Sequence, residues 1–591
     1  MIRFFTISRL IFFACLQTNF LFATLRVQSV SPKAQSMTAS LAPEITIEFD
    51  APVDATTINA KAVMIFGRWA GVMPGEFRLE NGNRQLRFLP AKKFSAGEWI
   101  TVAISKRVRS ATGDSLNAGY TWNFWTQAGR GDMTLRMKGQ LPVRFANELP
   151  VRTYGAFAGD LNGDGYHDFT VPNEDANDIR VFFNDGRGNY AFSSRHQLTP
   201  PARPSTNEGA DFNGDAITDF AVGNIRGNSV SVLLGNGSGG FRAPVNYPVD
   251  QEPRGLSVMD LEGDGDMDIV TANRVGNTMA ILYNKGDGTF LPRLLVDSGG
   301  GSETACAAAD ANADGILDLF VGAYSGREMI LLLGDGKGGL KFSARTDCGG
   351  SPWMVAAGDV DGDGHVDAVA ANALEARAAI IRGDGKGGLL PVQTYPVGAF
   401  PLGIDLGDLN GDGDLDFITS NYSGKNWTLY ENSGNGTFVN PKSFPATTAA
   451  SCAVFHDRDL DGDLDVTGID EEADVIFLFE NPASTAVTDK QTSTIPQDFI
   501  LGQAYPNPFS LAAANHTKLE NINIPFTLRY TAKVNLRVTN VLGQMVAVLV
   551  DRILPAGTYQ AQLQAREFSR GVYFYILEVE GKKLVKKIAI L

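Results

Sequence analysis

The chain has 591 residues, 44% of them apolar and 20% charged, with a formal net charge of −15 and four cysteines. That length outgrows a single hydrophobic core and predicts several domains of ordinary globular composition. The negative balance, with no basic stripe, excludes nucleic acid and argues against an anionic membrane as partner. So few cysteines exclude a disulfide framework.

Taken in order, residues 1–24 read as a secretory signal peptide. Arg3 and Arg9 flank the start of an apolar run, Leu10-Ile-Phe-Phe-Ala-Cys-Leu, that continues to Ala23. No later stretch is long and apolar enough for a transmembrane span. Cys15 falls in this leader, and Cys306, Cys348 and Cys452 have no metal-type spacing, so they read as buried free thiols.

Residues 25–127 carry short alternating stretches at 45–49, 86–88, 100–104 and 122–124, parted by turns such as Asn81-Gly82 and Thr112-Gly113-Asp114. That pattern predicts a small β-sandwich. Ser31-Pro32, Ile47-Glu-Phe49-Asp-Ala-Pro52, Phe88-Leu-Pro90, Ser95-Ala-Gly97-Glu-Trp99 and Tyr120-Thr-Trp122-Asn-Phe124 resemble the bacterial Ig-like domain. The resemblance implies a spacer or accessory module rather than catalysis. Arg130-Gly131-Asp132 follows; in a chain rich in Gly and Asp it reads as part of an interdomain turn, not an adhesion motif.

Residues 128–482 are organised by an acidic, glycine-bearing loop written seven times. The first copy is Asp160-Leu-Asn162-Gly-Asp164-Gly-Tyr-His-Asp168, and further copies start at Asp211, Asp260, Asp310, Asp359, Asp408 and Asp459. The starts are 49 to 51 residues apart, which predicts one four-stranded propeller blade per repeat. Oxygen-bearing side chains at positions 1, 3, 5 and 9 around a tight turn suit a hard cation such as Ca2+, which takes six to eight oxygens.

The candidate ligands are Asp160, Asn162, Asp164 and Asp168; Asp211, Asn213, Asp215 and Asp219; Asp260, Glu262, Asp264 and Asp268; Asp310, Asn312, Asp314 and Asp318; Asp359, Asp361, Asp363 and Asp367; Asp408, Asn410, Asp412 and Asp416; and Asp459, Asp461, Asp463 and Asp465. Ala216 replaces the position-6 glycine in loop 2, Glu262 lengthens position 3 of loop 3, and loop 7 counted from Asp459 to Asp465 falls short of the nine residues of the others. These loops, with the Gly-rich hairpins such as Asn284-Lys-Gly286-Asp-Gly288, resemble FG-GAP/VCBS repeats. That resemblance implies a calcium-bearing, seven-bladed β-propeller.

The seventh repeat breaks off after residues 475–479, whereas strand-like pieces at 133–137 and 141–145 precede the first loop. The N-terminal piece is therefore expected to complete the last blade and leave no open edge. Residues 483–499 read as a polar linker. Residues 500–591 read as a second small β-sandwich, so the expected fold is all-β: a seven-bladed β-propeller flanked by two small Ig-like β-sandwiches. Tyr505-Pro-Asn-Pro-Phe509 and the terminal Lys582-Lys583…Lys586-Lys587 resemble the sorting domain of type IX secretion substrates. This implies export by the type IX secretion machinery to the outer surface of a Gram-negative bacterium or beyond.

No histidine cluster, nucleophile elbow or phosphate loop is present, so catalysis finds no support. The expected function is a secreted or cell-surface, calcium-stabilised binding protein for adhesion to a glycan or surface protein. A polysaccharide-acting enzyme and an architectural surface-layer component are the alternatives. In a blade, the acidic loops lie on one face and leave the other for ligand. Arg254, Tyr324, Trp353, Phe400 and Tyr422, with Tyr154, Arg203 and Trp427, are the residues expected there.

Overall fold

The computed structural model describes residues 24–482 and, further on, 499–502, 504, 509, 521–528, 531–541, 544–555, 557–564, 568–579 and 582–590. The expected signal peptide up to residue 23, the linker at 483–498 and positions 505–508 lie outside the described residues. The chain divides into two compact units, Met1–Ser484 and Thr485–Leu591. Apart from one 3-10 turn at Ala55–Thr57, every regular element described is a strand.

The first sandwich has two four-stranded sheets. One orders Val27–Ser31, Ile45–Phe49, Gln85–Pro90 and Gly75–Glu80; the other orders Gly71–Val72, Val63–Gly67, Trp99–Ile104 and Tyr120–Trp125. Side chains alternate across the second sheet. Val63, Ile65, Ile100, Val102, Trp122 and Phe124 fill the sandwich core. Their neighbours Met64, Phe66, Thr101, Ala103, Asn123 and Trp125 point the other way, into a chamber beneath.

Among the described residues, seven further four-stranded antiparallel sheets lie between Arg136 and Glu480. Six run in sequence order from innermost to outermost strand. The last joins Ala450–His456, Asp465–Asp470 and Val475–Glu480 to Arg136–Pro142 from the N-terminal side, in the register Ile476↔Leu141 and Leu478↔Gly139. The early strand thus closes the ring, as the broken seventh repeat predicts. The inner strands Pro204–Ala210, Pro253–Met259, Glu303–Ala309, Pro352–Gly358 and Pro401–Gly407, with those of the first and last sheets, surround one channel. The second strand of every sheet, such as Asp268–Asn273 or Asp367–Asn372, is buried along its full length. Sheet packs on sheet around the ring, so no face of these strands meets water.

The Ig-like domain is no free spacer: it sits on the acidic-loop end of the channel. Backbone N–H groups of Lys106, Thr121 and Gly129 donate to the carbonyls of Gly263, Gly315 and Gly462 at 2.7, 2.6 and 2.6 Å, and Asp160 N–H donates to Trp69 O at 2.7 Å. Arg107 pairs with Asp266 at 2.6 Å. The Arg-Gly-Asp stretch is consumed by this junction. Gly131 is buried, a Cβ there would lie 1.8 Å from Asn481 Nδ2, and Asp132 N–H donates to Pro482 O at 2.9 Å.

His167 and His456 are buried beside Trp69, with ring centroids 5.2 and 6.4 Å from it. Their Nε2 atoms meet Ser95 Oγ at 2.6 Å and Thr467 Oγ1 at 3.0 Å, while both Nδ1 atoms have no partner. Burial pushes His167 down to about 3 and His456 well below its ordinary value. Both are neutral when folded but bind a proton near pH 6.5 when unfolded. Their stabilisation is therefore complete above about pH 6.5 and lost as pH falls below it. Between pH 7 and 5 each is expected to cost about 2 kcal/mol. Urea titrations in calcium should show His456→Asn losing less stability over that range than wild type; an identical pH slope would refute the assignment.

The second unit has a three-stranded sheet, Phe499–Leu501, Asn521–Leu528 and Gly557–Gln564, and a four-stranded sheet ordering Met545–Leu554, Ala532–Asn540, Gly571–Val579 and Lys582–Ile590. Ile522, Ile524, Val534, Leu536, Tyr575 and Ile588 are buried between them. Cys306 and Cys348 are buried free thiols as expected, whereas Cys452 is half-buried.

Candidate functional site: acidic loops and the clear face

Each acidic loop leaves an inner strand and enters the buried second strand, and its own side chains shape it. In loop 1 the position-1 carboxylate, Asp160, accepts Gly163 N–H at 2.7 Å and Gly165 N–H at 3.0 Å. Asn162 Oδ1 accepts Asp164 N–H at 2.9 Å, and Asp164 Oδ1 accepts Tyr166 N–H at 2.9 Å. The position-9 carboxylate, Asp168, accepts Leu161 and Asn184 N–H at 3.2 and 3.0 Å. Loops 2, 4, 5 and 6 repeat this scheme with small exchanges of donor. In loop 3 the longer Glu262 makes no such turn bond, though Asp260, Asp264 and Asp268 keep theirs.

Loop 7 corrects the expected register. Asp465 accepts Asn481 N–H at 2.9 Å, as Asp416 accepts Asn432 N–H, so Asp465 is position 9 and Asp457 is position 1. Positions 3 and 5 are then Asp459 and Asp461, and Asp463 moves to position 7, its N–H donating to Asp461 at 3.2 Å. No residue is missing. The run Asp-Arg-Asp-Leu-Asp-Gly-Asp-Leu-Asp offers two in-phase readings, and only the position of Gly462 selects the right one.

Two backbone positions in these loops take positive φ throughout. Position 6 is glycine except for Ala216 (φ 64°), and position 4 is glycine except for Ala313 (φ 59°) and Leu460 (φ 60°). The left-handed region costs a non-glycine residue about 1–2 kcal/mol, partly offset by the greater unfolded freedom of glycine. Leu460 is 41% exposed and gives up little packing. Ala216→Gly and Leu460→Gly should each stabilise the unit by about 0.5–1 kcal/mol in denaturant titrations; a loss of stability in either would contradict the backbone geometry.

The loops bring carboxylates together with too little positive charge to balance them. Oxygens of Asp359, Asp361 and Asp367 lie within 4.8 Å of one another, as do those of Asp457, Asp459 and Asp461, and of Asp459, Asp465 and Glu480. Burial first, and neighbouring carboxylates after it, push Asp219, Asp318 and Asp367 up to about 7 and Asp268 and Asp463 up to about 8. Oδ1 of both Asp457 and Asp463 is buried without a hydrogen-bond partner. In loops 1, 2 and 4 the position-3 amide turns its Nδ2 to the position-5 carboxylate at 2.9, 3.0 and 3.0 Å. A hard dication fits this donor set, because it supplies the charge that each loop lacks.

The opposite end of the channel is clear of the Ig-like domain. Four half-buried rings form an arc over blades 4 to 6: Tyr324 to Trp353 at 5.5 Å, Trp353 to Phe400 at 6.0 Å and Phe400 to Tyr422 at 6.4 Å between centroids. Arg254 stacks over Trp353 at 5.0 Å and pairs with Glu252 at 2.8 Å. Arg203 pairs with Glu174 at 2.8 Å. The sequence reading missed Arg152, which pairs with Glu471 at 2.8 Å and donates to Tyr422 Oη at 3.2 Å, and Arg274, which stacks over Tyr324 at 5.2 Å. Glu174, Arg274, Tyr324, Tyr422 and Glu471 share one signal: each directly follows the end of a second strand. Trp427 does not belong to this face. It is fully buried against Phe477 and Phe479 at 5.2 and 5.4 Å and wedges the last two blades together.

Comparison with known proteins agrees with this architecture. The FG-GAP-like repeat family matches residues 160–222, 211–271, 260–321, 310–370, 359–419 and 408–467, just over half of the chain. The chain belongs to the FG-GAP-like repeat family. In this FG-GAP protein the bacterial Ig-like domain matches residues 23–126, and the secretion system C-terminal sorting domain matches residues 503–591. The sorting domain marks it for type IX secretion to the cell surface or beyond. Among the described residues no helix is long and apolar enough to cross a membrane. A comparison with the curated proteins finds no match.

Solved structures similar to it include an Agrocybe aegerita lectin described with specific recognition of non-reducing terminal N-acetylglucosamine, at 17% identity and a TM-score of 0.39, covering 76% of this chain and 100% of the lectin. A functionally unknown protein from Desulfotomaculum acetoxidans has 11% identity and a TM-score of 0.37, covering 66% of this chain and 98% of its own. A protein from Lactobacillus plantarum has 13% identity, the same TM-score of 0.37 and the same shares of 66% and 98%. Likeness at that level carries no argument about ligand.

Proposed function

We propose that this is a secreted binding protein whose acidic loops hold calcium and whose clear face recognises a glycan or a surface protein. The observation that carries the reading is the arc from Tyr324 to Tyr422, flanked by Arg254 and Arg274, on the face left open by the Ig-like domain. Half-buried rings held by their neighbours offer flat apolar area at little entropic cost, and stacked arginines add directed donors. Calcium would be held by positions 1, 3, 5 and 9 of each loop, with Asp457, Asp459, Asp461 and Asp465 serving loop 7. Its chemistry there is structural: it neutralises the carboxylates and fixes the turns.

A glycan array and a surface-protein pull-down, both with calcium, test the reading. Trp353→Ala should weaken the ligand found by roughly 30-fold, the scale of about 2 kcal/mol for a central aromatic anchor. No ligand in either assay, or full affinity in Trp353→Ala, would overturn it. One observation favours a second reading: burial, and Glu174 after it, push Glu471 up to about 7 beside this arc. Release of reducing ends from a glycan panel, lost in Glu471→Gln, would replace binding by hydrolysis.

A further inference from the structure

The channel between the two faces is a chamber of about 370 Å3. The Ig-like sheet closes it at the acidic-loop end. At the other end Trp353 Nε1 donates to Tyr154 Oη at 3.0 Å, a bond from blade 5 to blade 1 that spans the mouth. Met64 and Phe66 from the Ig-like domain, with Leu256, Met354 and Ile404 from the blades, give it an apolar wall.

Five charged residues line the chamber; Asp211 and Asp260 are engaged by backbone N–H groups of their own loops, which leaves Arg68, Asp405 and Glu208. Arg68 reaches in from the Ig-like domain and donates through Nη1 to Asp405 Oδ1 at 3.0 Å. Asp405 Oδ2 is occupied by Phe455 N–H at 2.9 Å, so this carboxylate is satisfied. Arg68 keeps its Nε and Nη2 donors without a protein partner among the described residues. Glu208, on the inner strand of blade 2, opens to the chamber, and its carboxylate has neither a hydrogen bond nor an ion pair among the described residues. Its side chain is exposed to the chamber, and the protein walls around that space push its carboxyl up to about 7, with the charge of Arg68 opposing the rise.

One wall therefore offers unused acceptors and another unused donors, in a space of the size that small-molecule sites occupy, about 300–1,000 Å3. A hard cation is a poor match, because it needs six to eight oxygens, and among the described lining residues Asp211, Asp260 and Asp405 are already hydrogen-bonded, which leaves the Glu208 carboxylate. We propose that the chamber binds a small zwitterion of amino-acid type, its ammonium on Glu208, its carboxylate on the free edge of Arg68 and its apolar part against Met64, Phe66, Met354 and Ile404. A ligand that carries both signs satisfies both walls at once, with charge-assisted hydrogen bonds at either end. Entry requires the Tyr154–Trp353 bond to part. The inference does not rest on the clear-face reading, although Trp353 belongs to both the arc and the mouth of the chamber.

The test is isothermal titration of the full secreted protein, in calcium, with glycine, leucine and phenylalanine. Isoamylamine and isocaproate serve as singly charged controls. Leucine is expected to bind, with each control at least tenfold weaker. Glu208→Gln, which keeps the shape of the side chain, should weaken leucine at least tenfold. Ala307→Leu, which fills the chamber without touching a charge, should abolish binding while the melting transition stays cooperative. No binding of any zwitterion to the wild type, or equal binding by Glu208→Gln, would overturn the proposal and leave the chamber to water.

Discussion

Chelating divalent cations should lower the melting temperature of the Ig-like and propeller unit by roughly 3–10 °C, and added calcium should restore it. Extracellular calcium sites bind at about 10⁻⁴–10⁻³ M, so near 1 mM each contributes about 0.4–1.4 kcal/mol. Seven loops sum to about 3–10 kcal/mol, and a unit of this length has an unfolding entropy near 1 kcal/mol per degree. The effect should reach the Ig-like domain as well, because Gly263, Gly315 and Gly462, which accept its backbone N–H groups, all belong to acidic loops. Calorimetry with EDTA and with excess calcium decides it; superimposable transitions would remove calcium from the account.

Deleting residues 128–148 should abolish cooperative folding of the propeller. The segment supplies Arg136–Pro142, the outermost strand of the last sheet, whose loss leaves Val475–Glu480 as an open edge. It also carries Glu148, which grips the fully buried Arg180 at 2.6 Å, and Val143, whose carbonyl takes a second Arg180 N–H at 2.6 Å. Asp178 still pairs with Arg180 at 3.2 Å, but losing the other two partners of a buried guanidinium costs up to about 3–5 kcal/mol before the exposed strand is counted. A chain that begins at residue 128 is the control: it lacks the Ig-like domain but keeps the closing strand, and should melt cooperatively at a lower temperature. If a chain beginning at residue 149 melts in the same way, closure by this strand is wrong.

The repeat, the all-β class and the strand that closes the ring were legible in the chain because each is written locally: a period near 50, alternating strands, and a broken last repeat matched by an early fragment. The acidic loops were equally plain, since their spacing is itself the signal. Loop 7 was misread by two residues because its alternating aspartates fit either phase, and the hydrogen bond from Asn481 to Asp465 resolves the choice. Trp427 could not be told from Trp353 by type or spacing; whether a tryptophan packs between blades or faces the mouth depends on the neighbouring sheet.

The sequence by itself determined that one sheet is built per repeat, where the turns fall and which oxygens crowd each turn, because these follow from contacts within one repeat. Only the tertiary structure decided that the second Ig-like sheet is largely apolar on both faces in order to cover the channel. It alone set Arg68 against Asp405, 337 residues apart, and left the Glu208 carboxylate without a hydrogen bond among the described residues. Those arrangements depend on which surfaces meet once the ring has closed, and nothing local in the chain records that meeting.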